Sequence, residues 1–215
     1  MTTFLHDLRH AGRVMARNPG ASSIMVATLA LAIGATTAIF SVVYGVLLRP
    51  LPFPRSDRIA AVWEVNSGGT YSRVADPNFT DFAEQNRSFE SLAKYNTAVA
   101  SVAGASEPTR TTVGAVTKDF FRVLGVTPML GRAFSAEDAR TGAAPAIVAS
   151  YGYWKHYLGS AQDLSRLQLR IEGRVFSVVG VMPRGFQFPA TAELWAPAEL
   201  EPENTSRTSH NYFAI

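Results

Sequence analysis

The chain has 215 residues, 20 Lys plus Arg against 17 Asp plus Glu, and no Cys. The missing thiols exclude a disulfide scaffold, a zinc ribbon and a thiol enzyme, and 47% apolar with 17% charged residues excludes a disordered chain. The net charge of +3 and the pI of about 9.4 come without a basic stripe that would track a phosphate backbone, so no nucleic-acid partner is expected.

Residues 1–20 read as an amphipathic helix at a membrane surface. Phe4, Leu5, Leu8, Ala11, Gly12 and Met15 fall on one side of a helical wheel, and His6, Arg9, His10, Arg13 and Arg17 on the other. Such a basic face lies on anionic lipid, with Arg9, Arg13 and Arg17 toward the headgroups. Asn18-Pro19-Gly20 ends this helix. The 31 residues from Asn18 to Leu48 then carry no Asp, Glu, Lys or Arg, which predicts a transmembrane helix over 21–48. Its length, roughly 42 Å at helical rise, exceeds the ~30 Å hydrocarbon core, so it tilts or projects beyond the bilayer. A cleaved signal peptide is the competing reading, but its apolar core runs about 7–15 residues. A buried core helix is the other, and this uncharged run is long for one. Ala30, Gly34 and Ala38 repeat at four-residue spacing, and Thr37, Ser41 and Gly45 form a second row. Both are candidate helix-packing faces, although alanine-rich membrane helices also produce such rows by chance.

Pro50, Pro52 and Pro54 make 49–58 an extended linker. Beyond it, 59–65 reads as a strand, Asp76-Pro77 as an N-cap and first helical residue opening a helix to about Asn86, and 95–103 and 109–116 as strands. A short helix over 118–124 ends at Gly125, and Ser135 with Asp138 forms a capping-box helix start. A buried strand at 146–149 precedes a helix over 151–158, and 167–171 with 175–182 forms a hairpin around Glu172-Gly173. Residues 59–215 are therefore expected to be a mixed α+β domain.

Chemical signatures are sparse. There is no Gly-x-x-x-x-Gly-Lys-Ser/Thr loop and no His-Glu-x-x-His pair, so neither bound ATP nor a zinc site is expected of this chain. Asp76, Asp81 and Glu84 crowd one helix, where capping and a solvated face account for them. Tyr151, Trp154 and Leu158 share a helix face that suits core packing, with a ligand groove as the alternative. No catalytic, cofactor or metal residue is assigned, and no enzyme activity is expected.

Several segments resemble MacB/FtsX-type ABC transporter permeases: Asp7-Leu-Arg9, Arg17-Asn-Pro-Gly20, Leu29-Ala-Leu-Ala-Ile-Gly34, Thr37-Ala-Ile-Phe-Ser41 and Leu47-Leu-Arg-Pro-Leu-Pro52. The similarity continues through Phe120-Phe121-x-Val-Leu-Gly-Val126, Gly131-Arg132-x-Phe134, Ser150-x-x-x-Trp154, Val178-Val-Gly-Val-Met-Pro183, Phe186-x-Phe188-Pro189 and Leu194-Trp195. The resemblance implies one N-terminal transmembrane helix followed by a two-lobed α+β extracytoplasmic core domain over 59–215. It also implies a cytoplasmic N-terminus in the inner membrane, a separate cytoplasmic ABC ATPase that binds the ATP, a second permease copy and periplasmic partners. In such permeases ATP-driven movement is relayed into the periplasmic lobes. No further apolar run of ~18 residues precedes Ile215, so the expectation is a truncated subunit. The alternative is a single-pass anchored binding or regulatory module.

Overall fold

The computed structural model describes residues 6, 10, 13, 15–45, 51–104, 108–140 and 142–215. The chain divides into two compact units, Met1–Leu51 and Pro52–Ile215.

In the first unit, the described residues before Asn18 are helical, and Asn18 itself leaves the helix with φ −128° and ψ 71°. Helix α1 spans Pro19–Val43. It starts two residues earlier than expected because proline, whose nitrogen has no hydrogen to leave unpaired, suits the first helical turn. None of its residues is buried. Its hydroxyls bond back to the preceding turn: Ser23, Thr28, Thr36 and Ser41 each donate to the carbonyl four residues earlier, at 2.8 Å. These four hydroxyls are thereby paired within the helix, as a lipid environment demands, while the Ser22 hydroxyl donates to the Met15 carbonyl at 3.0 Å. Residues 46–48 of the expected span lie outside the described residues.

The second unit is built from β1 (Glu64–Val65), β2 (Tyr71–Ser72), α2 (Asp76–Gln85), β3 (Lys94–Ala103), β4 (Thr109–Val116), α3 (Phe120–Val123), β5 (Leu130–Gly131), β6 (Ala146–Ala149), α4 (Tyr151–Tyr157), β7 (Gln168–Ile171), β8 (Arg174–Val181), β9 (Leu194–Pro197) and β10 (Phe213–Ala214). β1 and β2 form a small hairpin, and the main sheet runs β10-β3-β4-β9-β6-β8-β5. β7 pairs with both β8 and β3, so the path β3-β4-β9-β6-β8-β7 closes on itself as a ring. The β4–β9 and β6–β8 pairs are parallel, and the others around the ring are antiparallel.

Side chains alternate across a strand, and here each face of the ring acquires its own core. Val102, Ile147, Ala149, Leu169, Ile171, Phe176, Val178 and Leu194 cluster on one face with Tyr153 of α4. The intervening residues Val116, Ala146, Val148 and Trp195 point the other way, where Phe120 and Phe121 of α3, Phe134 and Met182 cover them. Phe121 is the hub of the second core. Its ring centroid lies 5.4 Å from Phe120, 5.8 Å from Phe134, and 5.9 Å from both Phe186 and Trp195. The Trp195 indole donates to the Phe188 carbonyl at 3.0 Å and lies against Gly114, where a Cβ would come within 2.9 Å of Cδ1. A Cβ at Gly180 would meet the Arg132 carbonyl oxygen at 2.3 Å, so only glycine lets these two backbones approach. Phe120, Phe121, Phe134, Phe186, Phe188 and Trp195, from four of the segments that carry the family resemblance, thus converge on one aromatic core.

The mixed α+β architecture following an apolar helix is the one expected, and Pro52–Ile215 forms one compact unit with a core on each face of its ring. Three local expectations change. The strand over 59–65 contracts to β1 plus a bridge from Val62 to Ala214. Ser135 and Asp138 exchange the capping-box bonds, with Ser135 N–H donating at 2.7 Å, but they close a turn rather than open a helix. Ala75 is the N-cap of α2, and Asp76 lies inside the first turn with its carboxylate turned to another task.

Replacing the fully buried Trp195 by Ala is expected to destabilise the domain by about 3–5 kcal/mol. The same change at Trp63, 45% exposed, is expected to cost about 1 kcal/mol or less. Denaturant unfolding of the full chain in detergent micelles, followed by far-ultraviolet circular dichroism, measures both.

Candidate functional site

The carboxylate of Asp76 forms a buried ion pair with Lys94, the first residue of β3. Both side chains are almost inaccessible, at 5% and 10% relative exposure. The ammonium also lies 5.2 Å from the Phe79 ring centroid and 4.9 Å from that of Tyr212, within cation–π range. The second Asp76 oxygen accepts from the Asn204 amide at 2.9 Å, and the Lys94 amide donates to Thr117 Oγ1 at 3.1 Å. These contacts tie α2, β3, the end of β4 and the segment before β10 to one point.

The pair lies in the wall of a cavity of about 530 Å³. Phe79, Ala83, Ala139 and Ala198 give it apolar walls, and Glu84, Glu199, Glu201 and Glu203 add acid. Glu203 accepts from the Thr80 hydroxyl at 2.5 Å, and Glu201 pairs with Arg174 at 2.5 Å. Glu199 Oε1 accepts from the Lys118 amide at 3.1 Å, whereas its buried Oε2 has no hydrogen-bond partner among the described residues. Burial raises the Glu199 carboxyl above the usual range against the opposing pull of backbone amides, Lys118 and Lys94. The fold binds this proton more readily than the unfolded chain, so stability falls as pH rises from the ordinary glutamate range through the raised value. Such a cavity can hold a ligand with an apolar body and positive charge.

A second charged pair is structural. Arg132 grips Asp138 with two nitrogens at 2.5 and 3.0 Å, and the Ser135 amide and hydroxyl each donate to Asp138 at 2.7 Å. Burial alone would raise the Asp138 carboxyl, but the guanidinium and Ser135 override it and bring it down to about 2. Its contribution is present above the ordinary aspartate value and is lost as pH falls toward about 2.

Among the residues singled out from sequence, Ala30, Gly34, Thr37, Ala38 and Ser41 lie on α1 and Gly45 two residues past its end, all exposed in this single chain. Arg13 and Arg17 are exposed and helical, and Arg9 lies outside the described residues. Asp81 pairs with Arg207 at 2.7 Å on the outer side of α2. Tyr153 and Trp154, rather than Tyr151 and Leu158, are the buried pair of α4, and Trp154 Nε1 donates to the Ala161 carbonyl at 2.8 Å. Lys94 and Glu199 carry the cavity and have no local signature. Their only trace in sequence is a charge beside an apolar strand.

Residues 22–215 match the family described as the MacB-like periplasmic core domain. No curated protein matches the chain significantly. Among solved structures, the periplasmic region of MacB from Actinobacillus actinomycetemcomitans is similar, with a TM-score of 0.54 and 12% identity over 72% of each chain. A domain assigned to a permease protein of Porphyromonas gingivalis has a TM-score of 0.54 and 18% identity over 76% of this chain and 74% of that one. The extracellular domain of the ABC-type transporter YknZ from Gram-positive bacteria has a TM-score of 0.53 and 14% identity over 72% and 79%. At these identities the likeness is one of fold.

Lys94→Met leaves the Asp76 carboxylate buried without its partner and is expected to cost about 3–5 kcal/mol, whereas Lys94→Met with Asp76→Asn is expected to recover most of that loss. Unfolding midpoints of the two variants, compared with the parent chain, measure the difference.

Proposed function

Because the chain belongs to the family of MacB-like periplasmic core domains, we propose that it is the N-terminal part of an ABC transporter permease subunit that relays ATP-driven movement into its extracytoplasmic domain. The observation that carries this reading is the continuity of the family match from inside α1 to Ile215, so that membrane helix and core domain form one recognised unit. A closed strand ring with a packed core on each face supports it further. Such a body resists bending and moves as a whole when its anchor moves.

In this reading the N-terminus is cytoplasmic, its basic helix rests on the anionic inner leaflet of the inner membrane, and residues from about 52 onward are periplasmic. ATP is bound and hydrolysed by a separate cytoplasmic ABC ATPase, and the chain itself performs no chemistry. The small rows at Ala30, Gly34 and Ala38 and at Thr37, Ser41 and Gly45 serve contacts with other membrane helices, including those of a second permease copy. The acid-lined cavity beside Lys94 favours a second reading, a membrane-anchored module that binds a ligand or periplasmic partner without driving transport.

The chain contains no Cys, so Ser67→Cys in the exposed β1–β2 turn gives a single spin-label site. With the partner ATPase co-purified in lipid nanodiscs, the relay predicts an inter-copy distance that shifts between nucleotide-free and vanadate-trapped states. Failure of the ATPase to co-purify, or a distance indifferent to nucleotide, would remove the relay and leave the binding module.

A further inference from the structure

On a different part of the domain, Arg55, Arg58 and Arg122 line a hollow of about 140 Å³ together with Ser88, Ser91 and Glu90. Three guanidinium groups against one carboxylate leave its lining with an excess of two positive charges. The cavity beside Lys94 has the opposite balance.

The three arginines are engaged to different degrees. Arg122 Nη2 donates to Ser91 Oγ at 3.1 Å and pairs with Asp119 at 3.0 Å, which holds its guanidinium in place. Arg58 meets Glu90 at 3.9 Å, with side chains 65% and 73% exposed. A pair so long and so solvated contributes about 0–1 kcal/mol and yields to a better anion. The Arg55 guanidinium has no partner among the described residues.

The loop opposite is fixed before any ligand arrives. Asn86 Oδ1 accepts from the Ser88 and Phe89 amides at 3.0 and 3.1 Å, and its Nδ2 donates to the Phe89 carbonyl at 2.9 Å. That turn places Ser88 in the lining of the hollow and sets Phe89, 42% exposed, at its side with Val123.

We propose that this hollow binds a phosphate group carried as a monoester or diester. Its space of about 140 Å³ admits one tetrahedral oxyanion, with the remainder of the ester lying outside the hollow. Guanidinium forks match phosphate oxygens in pairs, and the serine hydroxyls complete the donor set. Phe89 and Val123 offer apolar surface to whatever the ester carries. Arg55 stands ten residues after Gly45 in the chain, close in sequence to the apolar helix, so a phospholipid headgroup is one source of this chemistry. A free phosphate compound is the other.

The test is calorimetric titration of the full chain in neutral detergent with dihexanoyl-phosphatidylglycerol and, separately, with inorganic phosphate. The R55Q/R58Q/R122Q variant is compared with R110Q/R140Q/R166Q, which removes equal charge from exposed arginines elsewhere. R55Q alone, at a residue whose guanidinium has no partner among the described residues, guards against misfolding of the triple variant. We expect saturable binding of one ligand per chain, weakened about tenfold or more in the hollow triple variant, about threefold or more in R55Q, and less than about twofold in the control. Binding of the phosphatidylglycerol without competition from inorganic phosphate identifies a lipid headgroup as the source, and equal binding of both identifies a free phosphate. No saturable binding of either probe, or an equal loss in the control triple variant, overturns the proposal.

Discussion

Strand β9 holds the domain together. It is only four residues long, yet it hydrogen-bonds in parallel to β4 on one side and antiparallel to β6 on the other. Without it the strand pairing between the β3–β4 hairpin and the β6–β8–β7 group would come down to the two residue pairs between β3 and β7. Its first two residues serve opposite cores. Leu194 fills the first, while Trp195 seals the second against Gly114 and Phe121. The glycine at 114, the aromatic residues of α3 and the Phe186–Phe188 segment are all arranged around that indole.

A ring closed in this way has consequences for a permease domain. Deforming one strand pair of a closed sheet requires the neighbouring pairs to move as well, which stiffens the ring. The Lys94–Asp76 pair extends the same rigidity to the sheet edge by fastening α2 and the segment before β10 to the start of β3. A buried pair adds little net stability over an apolar substitute, but removing one partner is costly. Its presence therefore fixes an arrangement more than it strengthens one. The same cluster forms the wall of the acid-lined cavity, so occupancy there and the seating of α2 would be coupled.

Much of this was legible where the signal is local. The uncharged run specifies α1, because a helix pairs the backbone polar groups of an apolar stretch internally, and four of its hydroxyls bond back to the preceding turn. The strand over 109–116 and the hairpin at Glu172-Gly173 are also local, since two residues with positive φ, 46° and 86°, make the turn and alternation does the rest. What escaped depends on distant partners. Leu-Trp-Ala-Pro is too short to show a period and becomes β9 only because two other strands flank the slot. The Ser135–Asp138 pair carries a helix-start pattern, but Arg132 takes both Asp138 oxygens, and the bonds close a turn instead. Asp76 looked like a cap because its ammonium partner is 18 residues away in sequence. The cavity is invisible in sequence for the same reason, since α2, β3 and the segment around 198–203 each contribute to it.

In the proposed topology α1 crosses the inner membrane once and delivers the β-ring domain to the far side. Single cysteines at Ser67, exposed in the β1–β2 turn, and at His6, exposed before α1, report the two sides. The account predicts that a membrane-impermeant thiol reagent labels Ser67→Cys in intact spheroplasts and labels His6→Cys only after lysis. Labelling of His6→Cys but not Ser67→Cys before lysis would contradict it.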